Sequence, residues 1–220
     1  MKLFNFVDYS IWLSAITGIY FFKKLEPRSL KILVAFVIIV ISLESILPKI
    51  FEIDRKHYYQ RLYTFTRPIE FLIIAYCYFD LRNWKSKESL FINIVIIGYF
   101  IYTITLFVIY YDDKYLGNNT SVVSYTLLIM LMLIYYKNLL STNQIIVLSK
   151  SPLFIYSIGI LIFSCGNVIV TGFYLKIAEQ NKEVARTLYK FMNYGLLITK
   201  SITLIIAFFV ASRNYKQKYE

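Results

Sequence analysis

Apolar residues gather into seven runs separated by short polar connectors, at about 3–22, 32–47, 62–79, 89–111, 121–140, 152–175 and 191–212. An α-helix rising 1.5 Å per residue crosses a hydrocarbon core about 30 Å thick in about 20 residues, so each run predicts a transmembrane helix. The fourth is the clearest, because Ser89 to Tyr111 contains no charge. Pro48 closes the second run, and Pro152 opens the sixth at a first turn where its missing N–H does no harm. In the 176–190 connector, Ile177, Val184 and Leu188 are spaced for one helical face, which predicts that the seventh helix begins ahead of its apolar run. Residues 139–148 predict a segment lying along the membrane interface. The expected fold is an all-α membrane protein, a seven-transmembrane-helix bundle forming one domain over residues 1–220.

Composition agrees with this reading. Hydrophobic residues make up 58% of the chain and aromatics 19%, which places it among membrane proteins and excludes an ordinary soluble domain. The net charge of +11 is spread over the connectors, where it suits anionic headgroups, so the expected partner is the lipid bilayer and not a nucleic acid. Lys and Arg number 12 on the face that carries the C-terminal tail and 10 on the other, which predicts an outside N-terminus and an inside C-terminus. No small-residue cleavage site accompanies Lys23-Lys24, so the first run is expected to be retained in a multi-pass protein of the inner membrane. Tyr and Phe crowd the run ends, as at Tyr110-Tyr111 and Tyr135-Tyr136, and read as an interfacial belt. Cys77 and Cys165 lie inside apolar runs without metal-ligand spacing, and His57 sits alone in a charged connector. No metal site is expected. The Gly-x-Ser-x-Gly and His-Glu-x-x-His patterns are absent, and no enzyme is expected.

The chemistry lies in charges placed inside the runs. Arg67-Pro68-Ile69-Glu70 heads the third run, Lys200 lies mid-way along the seventh, and Glu44 falls in the last third of the second. An ionisable group at membrane depth costs about 2.5–3.5 kcal/mol on insertion scales, so such residues usually face a bundle interior and pair with one another. Counted from the outer end of each span, Glu70 and Lys200 both lie about 14 Å deep and Glu44 about 6 Å. Asn167 on the sixth run and Thr103 on the fourth fall in the same outer-half slab. Tyr63, Arg67 and Glu70 follow i, i+4, i+7 spacing and share a stripe, and Asn193, Lys200 and Thr203 share another. Ser157, Ser164, Asn167 and Thr171 form a third, on a helix whose Gly159, Gly166 and Gly172 would admit a close neighbour. Glu44 and Glu70 balance Arg67 and Lys200, with Asp8 a candidate fifth member. Near-neutrality is what a low-dielectric interior demands. Two readings stay open: a structural ion-pair lock, or a polar ligand pocket in the outer half of the bundle. Pro68 serves both, since it frees the Thr64 carbonyl and can kink the helix.

Tyr63-Thr64 with Pro68-Ile69-Glu70-Phe71, and a sixth helix that opens at Pro152 and carries Ser157 and Gly159, resembles uncharacterised seven-helix integral membrane proteins of Bacteroidota. The resemblance covers most of the chain and implies a bundle acting beside separate signalling proteins. Lys200 in the middle of a seventh helix, with an acid on the third, is similar to the Schiff-base lysine and counterion of microbial rhodopsins, which implies retinal as cofactor. Arg67 one turn from that acid, and tryptophans only at positions 12 and 84, depart from that pattern. The expected function is a receptor or sensor with a charged polar pocket. The alternatives are a pore-forming or accessory effector of a bacterial defence system, working as a homo-oligomer, and a retinal-binding protein.

Overall fold

The structure, a computed structural model, describes residues 2–43, 55–79, 87–109, 116–141 and 148–219. Seven α-helices occupy them: α1 (Lys2–Phe21), α2 (Ser29–Ile41), α3 (Arg55–Tyr78), α4 (Lys87–Ile109), α5 (Leu116–Ser141), α6 (Pro152–Gln180) and α7 (Lys182–Tyr219). Tight 3-10 turns cover Phe22–Lys24 and Leu148–Lys150. Four segments are long and apolar enough to cross a membrane: Lys87–Ile109, Asn119–Ser141, Pro152–Tyr174 and Lys182–Gln217. Ser29–Ile41 is a shorter apolar helix.

Local chemistry sets the ends of the last two helices. The Ser151 hydroxyl accepts the Phe154 N–H at 3.4 Å, and Pro152 follows in the first turn of α6. Asn181 separates α6 from α7. Its own N–H donates to the Ile177 carbonyl at 2.8 Å, closing α6, while its Oδ1 accepts the N–H groups of Glu183 and Val184, each at 3.1 Å, and opens α7. The early start predicted for the seventh helix is thus observed, and one asparagine forms the joint. The interfacial expectation for 139–148 falls mostly outside the described residues; its ends are the last turn of α5 and the 3-10 turn from Leu148.

Six of the helices form a ring. α1 packs on α2, α2 on α3, α3 on α5, α5 on α6, α6 on α7, and α7 returns to α1. α4 stands outside this ring, against α3 and more lightly against α5. It is held there by Tyr99, whose ring meets Phe71 edge-on at 5.9 Å and whose hydroxyl donates to the Thr120 carbonyl at 2.9 Å. Ile94, Ile97, Ile101 and Val108 leave its outer face exposed. In water so large an apolar face would demand a cover; lipid tails solvate it without one.

The most extensive packing joins α6 to α7. A Cβ built on Gly159 would collide with the Thr203 side chain, its Cβ lying 2.7 Å away, and one built on Gly166 would meet the tip of Leu196. These two glycines therefore set the approach of the helices. Gly172, expected to act with them, has nothing within 4 Å of its Cβ position and plays no such part. Ile160, Phe163, Ala207 and Phe208 complete the buried surface around this seam.

Candidate functional site: a charged cavity inside the helix ring

The periodicity of α3 and α7 aims two polar stripes at the centre of the ring. On α3, Tyr63, Arg67 and Glu70 share the face predicted from their spacing, with Thr66 beside them. On α7, Tyr189, Asn193, Leu197, Lys200 and Leu204 recur every three or four residues along one face. Between these helices lies a cavity of about 210 Å³. All six ring helices contribute to its wall: Ile11 and Ser14 from α1, Phe36, Val37 and Val40 from α2, Ser121 and Tyr125 from α5, and Tyr156 and Thr171 from α6, besides α3 and α7. α4 contributes nothing to the wall.

Glu70 is the hub. Its Oε2 accepts Arg67 Nη1 at 2.6 Å within α3, and its Oε1 accepts the Lys200 ammonium from α7. The carboxylate side chain is 4% exposed, whereas those of Arg67 and Lys200 are each 17% exposed, and both cations border the cavity. Apart from this ion pair, α3 and α7 have little contact among the described residues. A charged bridge thus spans the space that backbone packing leaves open. Aromatic faces receive the two cations: the Arg67 guanidinium carbon lies 5.1 Å from the Tyr63 ring centroid and 5.4 Å from that of Tyr125, and Lys200 Nζ lies 4.6 Å from that of Phe163. Ring quadrupoles supply part of the solvation that burial removes.

The residues predicted from sequence divide accordingly. Tyr63, Arg67, Glu70, Asn193 and Lys200 meet at the cavity. Glu44 lies outside the described residues, as does the side chain of Asp8, so the balanced set of charges reduces, among the described residues, to one anion and two cations. Thr103 does not belong to the site. It is buried on α4, where its hydroxyl donates to the Tyr99 carbonyl of its own helix at 2.9 Å, outside the ring. Asn167 also misses the cavity; it is buried on α6 and its Nδ2 donates to the Phe163 carbonyl at 2.8 Å. Equal depth along two helices carries no information about azimuth, which is why the slab reading gathered both residues in. Thr203 likewise misses the cavity; its hydroxyl donates to the Lys200 carbonyl at 2.9 Å and its side chain packs onto Gly159.

Four tyrosines border the cavity, of which only Tyr63 was singled out from sequence. Tyr125, Tyr156 and Tyr189 were absorbed into the general excess of aromatics. Tyr189 was the recoverable one, since it stands four residues before Asn193 and continues the stripe of Lys200. Among the described residues no cluster of three His, Cys, Asp or Glu is placed to hold a metal ion. The available chemistry is donor-rich recognition, with a guanidinium, an ammonium, phenols, an amide and hydroxyls facing a small space. Comparisons with protein-family models, with curated proteins and with solved structures find no match for this chain.

Proposed function

We propose that this protein is a seven-span receptor or sensor of the bacterial inner membrane, with its N-terminus outside and its C-terminus inside, that binds a small ligand in the cavity of the ring. The carrying observation is the coexistence of the Arg67–Glu70–Lys200 bridge with about 210 Å³ of space beside it. An ion pair serving only to lock helix register needs no such space, and native interiors rarely keep voids much larger than a water molecule. Polar groups aimed into a largely apolar concavity are the usual anatomy of a ligand site. The short connectors leave signalling to a separate protein that reads the inner ends of the helices.

The pore reading draws on the same polar wall, but it requires a continuous path and a change of ion flux when the charges are removed. The retinal reading through Lys200 has less support. The lysine is engaged by Glu70, Arg67 competes for the same carboxylate, and the cavity suits a shorter molecule. A cavity of about 150 Å³ holds benzene, so this one has room for a ring with a few further atoms and not for a long polyene.

The test is access from the outer face. With Cys77 and Cys165 replaced by serine, Asn193→Cys in intact right-side-out vesicles is expected to react with a membrane-impermeant maleimide, while Tyr215→Cys reacts only after the membrane is opened. Protection of Asn193→Cys under conditions where an exposed Lys182→Cys control is labelled would overturn the receptor reading. In liposomes, ion leakage no greater than that of protein-free vesicles is expected. Leakage abolished by Glu70→Gln and Lys200→Met would transfer the function to a pore.

A further inference from the structure

We infer that the corner where the α1–α2 turn meets the end of α7 holds an anionic phospholipid, its headgroup among the cations of the turn and its acyl chains along α1 and α7. The inference stands whether or not the cavity takes a ligand. Its first support is charge, counted over the whole sequence. The face that carries the C-terminal tail has 12 Lys and Arg against four acids, Glu26, Asp80, Glu88 and Glu220, so most of its cations lack an acid whichever pairs form. Six of the 12 belong to one corner: Lys23, Lys24, Arg28 and Lys31 around the turn, and Arg213 and Lys216 near the end of α7. The structure brings these stretches together. The Phe22–Lys24 turn packs against α7, the fully buried Leu25 fixes it to the core, and Lys31 Nζ lies 5.7 Å from the centroid of the Phe22 ring. The N–H groups of Leu30 and Lys31 are taken by the carbonyls of Pro27 and Arg28, each at 3.0 Å, so the side chains and not the helix terminus supply the attraction.

The second support is what lies beneath the cations. On α1, Leu13, Ile16 and Tyr20 are exposed at steps of three and four residues, and the exposed Lys23 continues the spacing. On α7, Ile202, Ile206 and Phe209 are exposed in the same way, and the exposed Arg213 follows. The two helices pack together, and Phe21 meets Phe209 edge-on at 6.0 Å, one turn before Arg213. Each helix thus presents an apolar stripe about 10 Å long that ends in a cation. A phospholipid has the matching polarity, since its tails cover the stripes and its phosphate meets the cations. An acidic soluble protein would meet the cations alone, because the stripes run down into the hydrocarbon. A zwitterionic lipid would cover the stripes but carry a cation of its own into the basic corner, against Coulomb's law at short range. An anionic lipid satisfies both parts.

The experiment uses the full-length protein in uncharged detergent micelles, with bound lipid counted by native mass spectrometry and the unfolding midpoint followed as lipid is added. Phosphatidylglycerol is expected to stay bound and to raise the midpoint, and phosphatidylcholine of the same chain length to do neither. The triple substitution Lys23→Gln, Arg28→Gln and Lys31→Gln should weaken phosphatidylglycerol binding about a hundredfold, at about fivefold for each cation lost near an anionic headgroup. Lys87→Gln with Lys137→Gln removes two exposed cations of the same face on α4 and α5, and should change binding by less than about twofold. Equal losses per cation from the two sets would overturn the corner and leave only diffuse attraction to the face. Equal retention of phosphatidylcholine would overturn the anionic class. Glycerol phosphate, which keeps the charge of the head without the chains, is expected to leave the midpoint unchanged at millimolar concentration; a shift equal to that of the lipid would make the site one for a free phosphate. Displacement of phosphatidylglycerol by polyglutamate would make the corner a protein-docking surface. If the triple variant does not fold, the comparison of the two lipids and glycerol phosphate on the unaltered protein carries the test. None of these results alters the labelling of Asn193→Cys, so failure here is distinguishable from failure of the receptor reading.

Discussion

α7 faces α6 and α3 in opposite ways. Against α6 it packs backbone to backbone, with Gly159 under Thr203 and Gly166 under Leu196, and no room remains for a methyl group. Toward α3 it makes, among the described residues, hardly any backbone contact, and the ion pair from Lys200 to Glu70 crosses the gap beside a cavity. Close packing of small residues is a short-range interaction that rises steeply on any displacement. A charged bridge in a partly solvated space changes more gradually with distance and can be exchanged for another charge. One face of the helix is thus fixed and the other is replaceable, which is the division a ligand-responsive bundle requires.

Removing the hub should have the largest effect. Glu70→Ala leaves Arg67 and Lys200 facing each other without their shared carboxylate, and breaking a buried pair in this way is expected to cost about 3–5 kcal/mol of unfolding free energy. Denaturant titration in micelles would measure it. A loss near that of exposed surface pairs would show that the bridge contributes little and would erase the contrast drawn here. Next comes Gly159→Ala, expected to cost about 1–3 kcal/mol by overpacking, because the Thr203 Cβ that a new methyl meets is anchored to the backbone. Gly166→Ala should cost less than Gly159→Ala, since the Leu196 methyl it meets is the far end of a flexible side chain. Equal costs at the two sites would mean that the seam yields as one body. The smallest effect belongs to Gly98→Ala on α4, whose new methyl meets nothing within 4 Å. Higher helix propensity should leave stability unchanged or raise it by up to about 1 kcal/mol, as thermal unfolding would show.

Much of this molecule was legible in its sequence because burial in a membrane is written as long apolar runs. Each described helix overlaps one of the apolar runs, four of them are long and apolar enough to cross a membrane, and Pro152 marks a start that the structure keeps. The early start of α7 at Lys182 was legible from the spacing of its apolar residues, whereas that of α3 at Arg55 was not, since backbone hydrogen bonding does not stop at the hydrocarbon edge. The meeting of Arg67, Glu70 and Lys200 was legible from cost, because lone charges in apolar runs must find one another. The position of α4 was not. Its charge-free run is the most apolar span, and such a run suits a lipid-facing helix as well as a central one. That ambiguity placed Thr103 at a site from which its helix is excluded.

α7 is a single helix of 38 residues, about 57 Å long at the helical rise, and so reaches well beyond a hydrocarbon core about 30 Å thick. Lys200 stands near its midpoint, about 28 Å from Tyr219. The helix is therefore a long arm whose midpoint lies at the cavity. For such an arm, a rotation of about 5° at Lys200 carries Tyr219 through about 2.5 Å, roughly half the pitch of a helical turn. On that arm Asn214 donates to the Lys150 carbonyl at 2.7 Å, holding it to the turn that precedes α6. A swing of that size would break this bond, so under the proposed receptor function a movement at Lys200 would have a mechanical readout on the far side of the bundle.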